Sequence, residues 1–482
     1  MAIRDVAVLT MDAERAAIPN GHVLVSGDRI VSVGQGDPVA DRLSSVTDVI
    51  DGAGGLLIPG FISTHQHVID VLLRGISQGR DLLDWWTNVY NPGTSSYTPE
   101  DVDLAVTLAM DEAVRSGVTT VVDNWSASLD PVLARESADA AIAAYERAGV
   151  RAVLARMFGD TVPPSWAPLI RHLGGTTDDW VEDAQEALID IEALMAEYNG
   201  RRDGRVSVCP SPTTAQTVTA EAMVEASALA RRHGVILPVH HCESELEAKM
   251  FPESGPGWST TQYLDGLGVL GPELLAAHCV WLGEGDIRLL AGASSCVAHC
   301  PTSNMMMASG IAPVSALRRA GITVGLGCDN AMVNNNVSLL GEIRLAALLA
   351  KVGTLDAGAL SAMEALTMAT RDGAAAIGRG HDLGVIEAGR KADLVLLDRS
   401  GPHWVPCHDL AAAVVYQAHV DDVRTVVVDG EVLLRDRVSV KTDQPEDLYR
   451  RASKRASEIV DNAGLRRLVD RQTPTGAPQR RS

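Results

Sequence analysis

Between about residues 56 and 384 the chain repeats one rhythm: a short apolar run, then a helix-like stretch. The runs are LLIPGFIST, GVTTVVDN, VRAVLARMF, RVSVCPS, VILPVHHCE, LLAAHCV, SSCVAHCP and ITVGLGCDN. Stretches such as PEDVDLAVTLAMDEAVRSG and TAEAMVEASALARRHG stand between them. Strands of parallel sheets, buried on both faces, read as unbroken apolar runs. Eight strand–helix units of this length predict an α/β fold, a (β/α)8 TIM-type barrel. A doubly wound open sheet is the alternative, but no GxGxxG follows the first run.

The two ends of the chain read differently. Residues 1–55 and 385–440 are rich in short alternating strands, with Asn20-Gly21 and Gly27-Asp28 expected at turns of an antiparallel unit. These segments are expected to pair into one small β-sandwich beside a barrel over 56–384. Residues 441–482 are expected to form a C-terminal helix and a disordered tail.

A barrel of this kind carries its active site at the C-terminal ends of its strands. His65 and His67 end the first run, His240 the fifth, His278 the sixth, His299 the seventh and Asp329 the eighth. His65 and His67 are two residues apart, so an extended strand points both to one face. Neutral imidazoles with a carboxylate make a site for divalent zinc or iron with a position left open for water, and such a metal brings the water's pKa toward neutrality. Glu243, three residues after His240, can reach that water without being a ligand and is the natural proton shuttle. Each residue alone has a plainer reading. A lone buried histidine is usually a hydrogen-bonded core group, and Asp329 could cap a helix. Cys242, Cys279, Cys300 and Cys328 lie beside these positions, but most are offset by one residue and so point elsewhere. His241 is expected to be structural.

Composition narrows the partners. The net charge of −21 over 482 residues argues against nucleic acid, which selects clustered Lys and Arg. No apolar run reaches the roughly 18–20 residues that span a bilayer, and the first residues lack a signal peptide's apolar core. A cytoplasmic enzyme acting on a small molecule, with reduced thiols, is expected. A homodimer or higher homo-oligomer is also expected.

The segments PGFISTHQH, HHCE, AHC, VAHCPTSN and GLGCDN resemble the amidohydrolase superfamily, and more closely its cytosine deaminase-like branch. That branch holds triazine chlorohydrolases, S-adenosylhomocysteine and methylthioadenosine deaminases, and 8-oxoguanine deaminase. RGISQGRDLLDWWTNVYNP and CPSPTTAQTVT are similar to further segments of it, and the likeness spans nearly the whole chain. The resemblance implies one divalent metal, zinc before iron, held by His65, His67, His240 and Asp329. Asp329 would also deprotonate the water. His278 would hydrogen-bond the hydroxide, Glu243 would protonate the ring nitrogen and leaving amine, and His299 would contact substrate. No lysine stands at a strand end to bridge a second metal. Three departures fall on the substrate side or on the groups around the ligands, not on the ligands themselves: Trp281 where relatives usually have His, Met306 where they often have Lys or Arg, and GCDN for GTDG. Trp281 and Met306 are therefore expected at the substrate.

The expected reaction is hydrolytic deamination of an amino-heterocycle or cyclic amidine. Loss of chloride or alkylamine from the same carbon, and ring-opening C–N hydrolysis, are the rival reactions. A catalytically silent scaffold would lack ligands, and this set is complete.

Overall fold

The computed structural model describes residues 1–14, 17–38, 46–126, 131–248 and 257–472. Seventeen strands are found among them: β1 Ala2–Leu9, β2 Ala17–Ser26, β3 Arg29–Gln35, β4 Val49–Pro59, β5 Phe61–His67, β6 Val118–Ser126, β7 Arg151–Phe158, β8 Val206–Pro212, β9 Leu237–His241, β10 Leu274–His278, β11 Cys296–His299, β12 Val324–Leu326, β13 Asp329–Asn330, β14 Leu394–Leu397, β15 Val423–Val428, β16 Glu431–Arg435 and β17 Val438–Ser439. All eight apolar runs contain a strand.

Strands β5 to β12 form one parallel ladder in the order β8-β7-β6-β5-β12-β11-β10-β9, and β13 adds to β5. The seam between β8 and β9 is spanned by one parallel bridge, Thr214 to His240, and His240 N donates to Thr213 O. This is the (β/α)8 arrangement with one loosely joined seam. Alternate residues face opposite ways, as strand geometry requires. Val121, Leu154 and Val208 join the large core between strands and helices. Their neighbours Val122, Ala155 and Cys209 belong to a second cluster with Ala277 and Ala298. The helices begin and end on local signals. Thr219 caps helix Ala220–His233, and Gly234 ends it in the left-handed region at φ 62°.

The terminal strands build a second sheet, β17-β16-β15-β14-β4-β1-β2-β3, from both ends of the chain. It curls on itself. Edge strand β3 meets the segment before β14 through Ile30 N to Arg390 O, and its inner face holds a separate apolar cluster including Ile3, Val25, Leu57 and Val427. Three details differ from the sequence expectation. β1 pairs with β4 in parallel, so the N-terminal unit is not wholly antiparallel. Asn20 and Gly21 lie inside β2. A Cβ at Gly21 would stand 2.9 Å from Gly34 O, so this glycine serves close strand approach, and the turn falls at Gly27-Asp28. Finally, β4 continues to Pro59, so the chain crosses between sheets at Gly60 rather than at residue 55. A side chain there would collide with Thr119. The C-terminal helix is present over Pro445–Asn462, whereas the tail beyond 472 lies outside the described residues.

A buried charge cluster ties the two sheets together. Arg151, at the start of β7, pairs with Asp393 at 3.2 Å and with Asp429 at 2.6 Å. Arg205 and Lys391 also reach Asp429. Removing one member of a buried ion pair strands the other, at a cost of roughly 3–5 kcal/mol. Arg151→Ala is therefore expected to lower the denaturant midpoint by a stability loss of that order, read by circular dichroism; an unchanged midpoint would show the cluster contributes nothing.

No helix among the described residues is long and apolar enough to cross a membrane.

Candidate metal centre

The strand ends bring four histidines and one carboxylate together. β13 pairs with β5 so that Asp329 sits opposite Gln66. Asp329 Oδ1 then lies 3.2 Å from His65 Nε2 and 3.4 Å from His67 Nε2. His67 Nε2 is 3.2 Å from His240 Nε2. Ligand atoms of His65, His67 and His240 cluster within 4.8 Å of one another, as do those of His65, His278 and Asp329. His278 and Asp329 both adopt left-handed backbone, at φ 70° and 56°. Such non-glycine residues cost on the order of 1–3 kcal/mol each and concentrate at functional sites.

Other side chains and backbone atoms fix these rings. His240 Nδ1 donates to Thr213 O at 2.9 Å, so its Nε2 carries the free lone pair and faces the cluster. His278 Nδ1 lies 2.9 Å from Asn304 Oδ1 and donates to it. The Nε2 atom of His278 is buried with no hydrogen-bond partner among the described residues. Burial drives His65 below its ordinary pKa. It takes His67 down to about 3 and, helped by the neighbouring imidazoles, takes His240 well below its usual range. These rings are neutral, as ligands must be. Burial opposes charge on Asp329 too, but hydrogen bonding to His65 and the nearby His278 outweigh it and hold the carboxyl well below the usual range. Converging neutral imidazole nitrogens with an ionised carboxylate fit a divalent cation of the zinc and iron class.

Glu243 lies beside this cluster, buried, with Oε2 3.7 Å from His278 Nε2. Burial pushes its carboxyl up to about 7, against the pull of His278. For His278, burial is outweighed by Glu243 and Asp329, and its pKa rises. Glu243 thus holds a proton near neutral pH and can give it up.

The cavity over the cluster is lined by His67, His240, Glu243, His278 and Asp329 at its floor. Leu82, Trp85, Trp86, Tyr90, Met157, Trp166, Met307 and Val333 supply its apolar wall. His299 is buried at the end of β11 but is not among the described lining residues. Nor are Trp281 and Met306. Trp281 Nε1 donates to Ser309 O at 2.7 Å, and Met306 is 40% exposed. Met307 holds the wall position instead, because adjacent residues of a helix point about 100° apart. His241 turns away to Thr261 Oγ1, 2.9 Å distant. Cys242, Cys279, Cys300 and Cys328 are buried free thiols, and burial raises all four, so they are not thiolates. Thr213, Asn304, Glu247 and the aromatic wall were not singled out by sequence reasoning. The closely spaced Trp85, Trp86 and Tyr90 are the signal that could have found the wall.

A model of the amidohydrolase family matches residues 56–433. The chain is 36% identical over 460 residues to a 5-methylthioadenosine/S-adenosylhomocysteine deaminase of Pelotomaculum thermopropionicum, covering 95% of this chain and 98% of the relative. It is 34% identical to a 5′-deoxyadenosine deaminase of Methanosarcina acetivorans, covering 96% and 98%. Among solved structures, a zinc-bound adenosine deaminase from Xanthomonas campestris superposes with a TM-score of 0.85 at 28% identity, over 95% of this chain and 98% of that one. A zinc complex of an atrazine chlorohydrolase from Arthrobacter aurescens gives 0.84 at 27%, over 95% and 99%.

Proposed function

Because the chain belongs to the amidohydrolase family, we propose that it is a metal-dependent hydrolase that releases ammonia from an amino-heterocycle. The observation that carries this reading is the convergence of His65, His67, His240 and Asp329 with Glu243 alongside. In this reading those four side chains hold one divalent metal, zinc before iron. Bound there, the metal would acidify water so that a hydroxide nucleophile is available near neutral pH.

The chain's own groups do the rest. The Asp329 carboxylate orients the attacking water and takes its proton. His278, held by Asn304, turns Nε2 toward the nucleophile. Glu243 begins protonated and donates to the ring nitrogen as the tetrahedral centre forms; its carboxylate then takes the proton of the new hydroxyl and passes it to the departing amine, and the proton taken up by Asp329 restores the acid. The apolar, aromatic wall suits a flat ring. The names of the relatives point to adenosine-like substrates first. Similarity to the chlorohydrolase keeps a second reading in view, in which chloride or alkylamine leaves from the same carbon.

The test is metal analysis with a screen of adenine nucleosides, aminopyrimidines and aminotriazines for ammonia release. About one metal ion per chain is expected, with ammonia from at least one class. Two tightly held metals, or none after reconstitution with zinc and iron, would overturn the mononuclear reading.

Met307 should shape preference more than its neighbour. Met307→Lys is expected to change relative rates across such a panel by about tenfold or more with metal retained, and Met306→Lys by much less. Equal effects would return the substrate contact to Met306.

A further inference from the structure

On its own, the cavity over the ligand cluster is too small for a whole nucleoside-sized substrate. It encloses about 40 Å³, whereas small-molecule sites span roughly 300–1,000 Å³. A chamber of about 420 Å³ lies directly beside it. Trp86, Tyr90 and Met157 line both spaces, so these three side chains are the wall between them.

They are not equally fixed. The Tyr90 hydroxyl donates to Ser126 Oγ, which also contacts Met157 Sδ at 3.8 Å. Tyr90 and Met157 are both buried. Trp86 is only half-buried, and no hydrogen bond holds its indole among the described residues. It leans on Trp180, with ring centroids 4.5 Å apart and planes at 29°. It also opens a π-helical turn, Trp86–Tyr90, a wide-turn geometry found often at functional sites.

Charge is distributed with one sign. The charged groups lining the two spaces, apart from the histidines, are Glu243, Glu247 and Asp329 on the cluster side and Glu182 in the chamber; no Lys or Arg lines either among the described residues. Glu182 is already satisfied by a two-pronged contact from Arg156, at 2.6 and 2.9 Å. An anionic substituent would lose its hydration and gain no partner.

We propose that the two spaces are one substrate site divided by Trp86. The ring bearing the amine lies on the cluster side, an uncharged substituent occupies the chamber, and the bulk of residue 86 sets how large that substituent can be. This rests on the deaminase reading for the choice of ring, while the division itself is a matter of binding.

Calorimetry tests it on zinc-loaded protein carrying Glu243→Gln, so that bound probe is not turned over, with and without Trp86→Ala. The probes are adenine, adenosine and 5′-methylthioadenosine, which are neutral and graded in size, and adenosine 5′-monophosphate. Trp86→Ala is expected to shift the ratio of affinities toward the larger neutral probes by about tenfold or more, Trp86→Phe by less, and the monophosphate should bind weakly to both proteins. An unchanged ratio would overturn the proposal, as would binding of no probe by either protein or preferred binding of the monophosphate. Absence of ammonia release from the parent protein would count against the deaminase reading alone, because the affinity ratios stand without turnover.

Discussion

Asp329→Ala is expected to strip the metal and abolish activity together. Asp329 carries the one carboxylate whose oxygen touches two of the converging imidazoles, at 3.2 and 3.4 Å. Without it, the remaining groups are neutral rings, and a divalent ion loses the charge that favours it over water. The same carboxylate is the proposed acceptor of the water's proton. The loss should therefore exceed about 10⁴-fold, beyond what one acid–base group typically supplies. Metal content measured after dialysis should fall to near zero. The fold should survive, because Asp329 lies on a two-residue strand and the barrel core does not depend on it. His65→Ala should behave alike. Asp329→Asn separates the two roles: it keeps size and one ligand oxygen but removes the charge. Full metal retention in Asp329→Ala would remove this residue from the ligand set.

The barrel was legible because its strands are buried on both faces and so read as apolar runs. The histidines and Asp329 were legible because the strand-end rule turns a sequence position into a place in space. Where the pattern was ambiguous, the reading slipped. The run LLIPGFIST reads as one largely apolar stretch, and the reading passed over its Pro59-Gly60 step, a turn signal that marks the point where β4 ends and β5 begins. Asn20-Gly21 has the composition of a turn, but the glycine answers to the approach of Gly34 from the neighbouring strand, a long-range contact that no local pattern encodes. The groups that orient the rings were equally hidden. His240 is held by a backbone carbonyl at Thr213, which could belong to any residue type. Asn304 reaches His278 only because helix Pro301–Met306 turns it inward. The same rotation puts Met307 on the cavity wall, a change of one residue that a helix converts into a change of face.

Glu243→Gln is expected to cost at least a roughly hundredfold loss of kcat while metal content stays near the parent's. An amine is a poor leaving group and must be protonated to depart; chloride leaves without help. The side chain is placed for that transfer, buried beside the cluster with Oε2 3.7 Å from His278 Nε2. Its carboxyl, pushed up to about 7 by burial, is matched to giving a proton near neutral pH. Glutamine preserves the volume and the ability to hydrogen-bond but has no acidic proton. In the parent, the donor form disappears as pH rises through the folded pKa, so kcat should fall along an alkaline limb. The variant should lack that limb, which a merely structural substitution would leave in place. Loss of metal in Glu243→Gln would make this residue a ligand and overturn its role. Near-normal ammonia release would overturn the proton transfer. Near-normal chloride release from a chlorinated heterocycle, with no ammonia from its amino counterpart in either protein, would establish the rival reaction, because the same carbon would then be attacked with a leaving group that needs no acid.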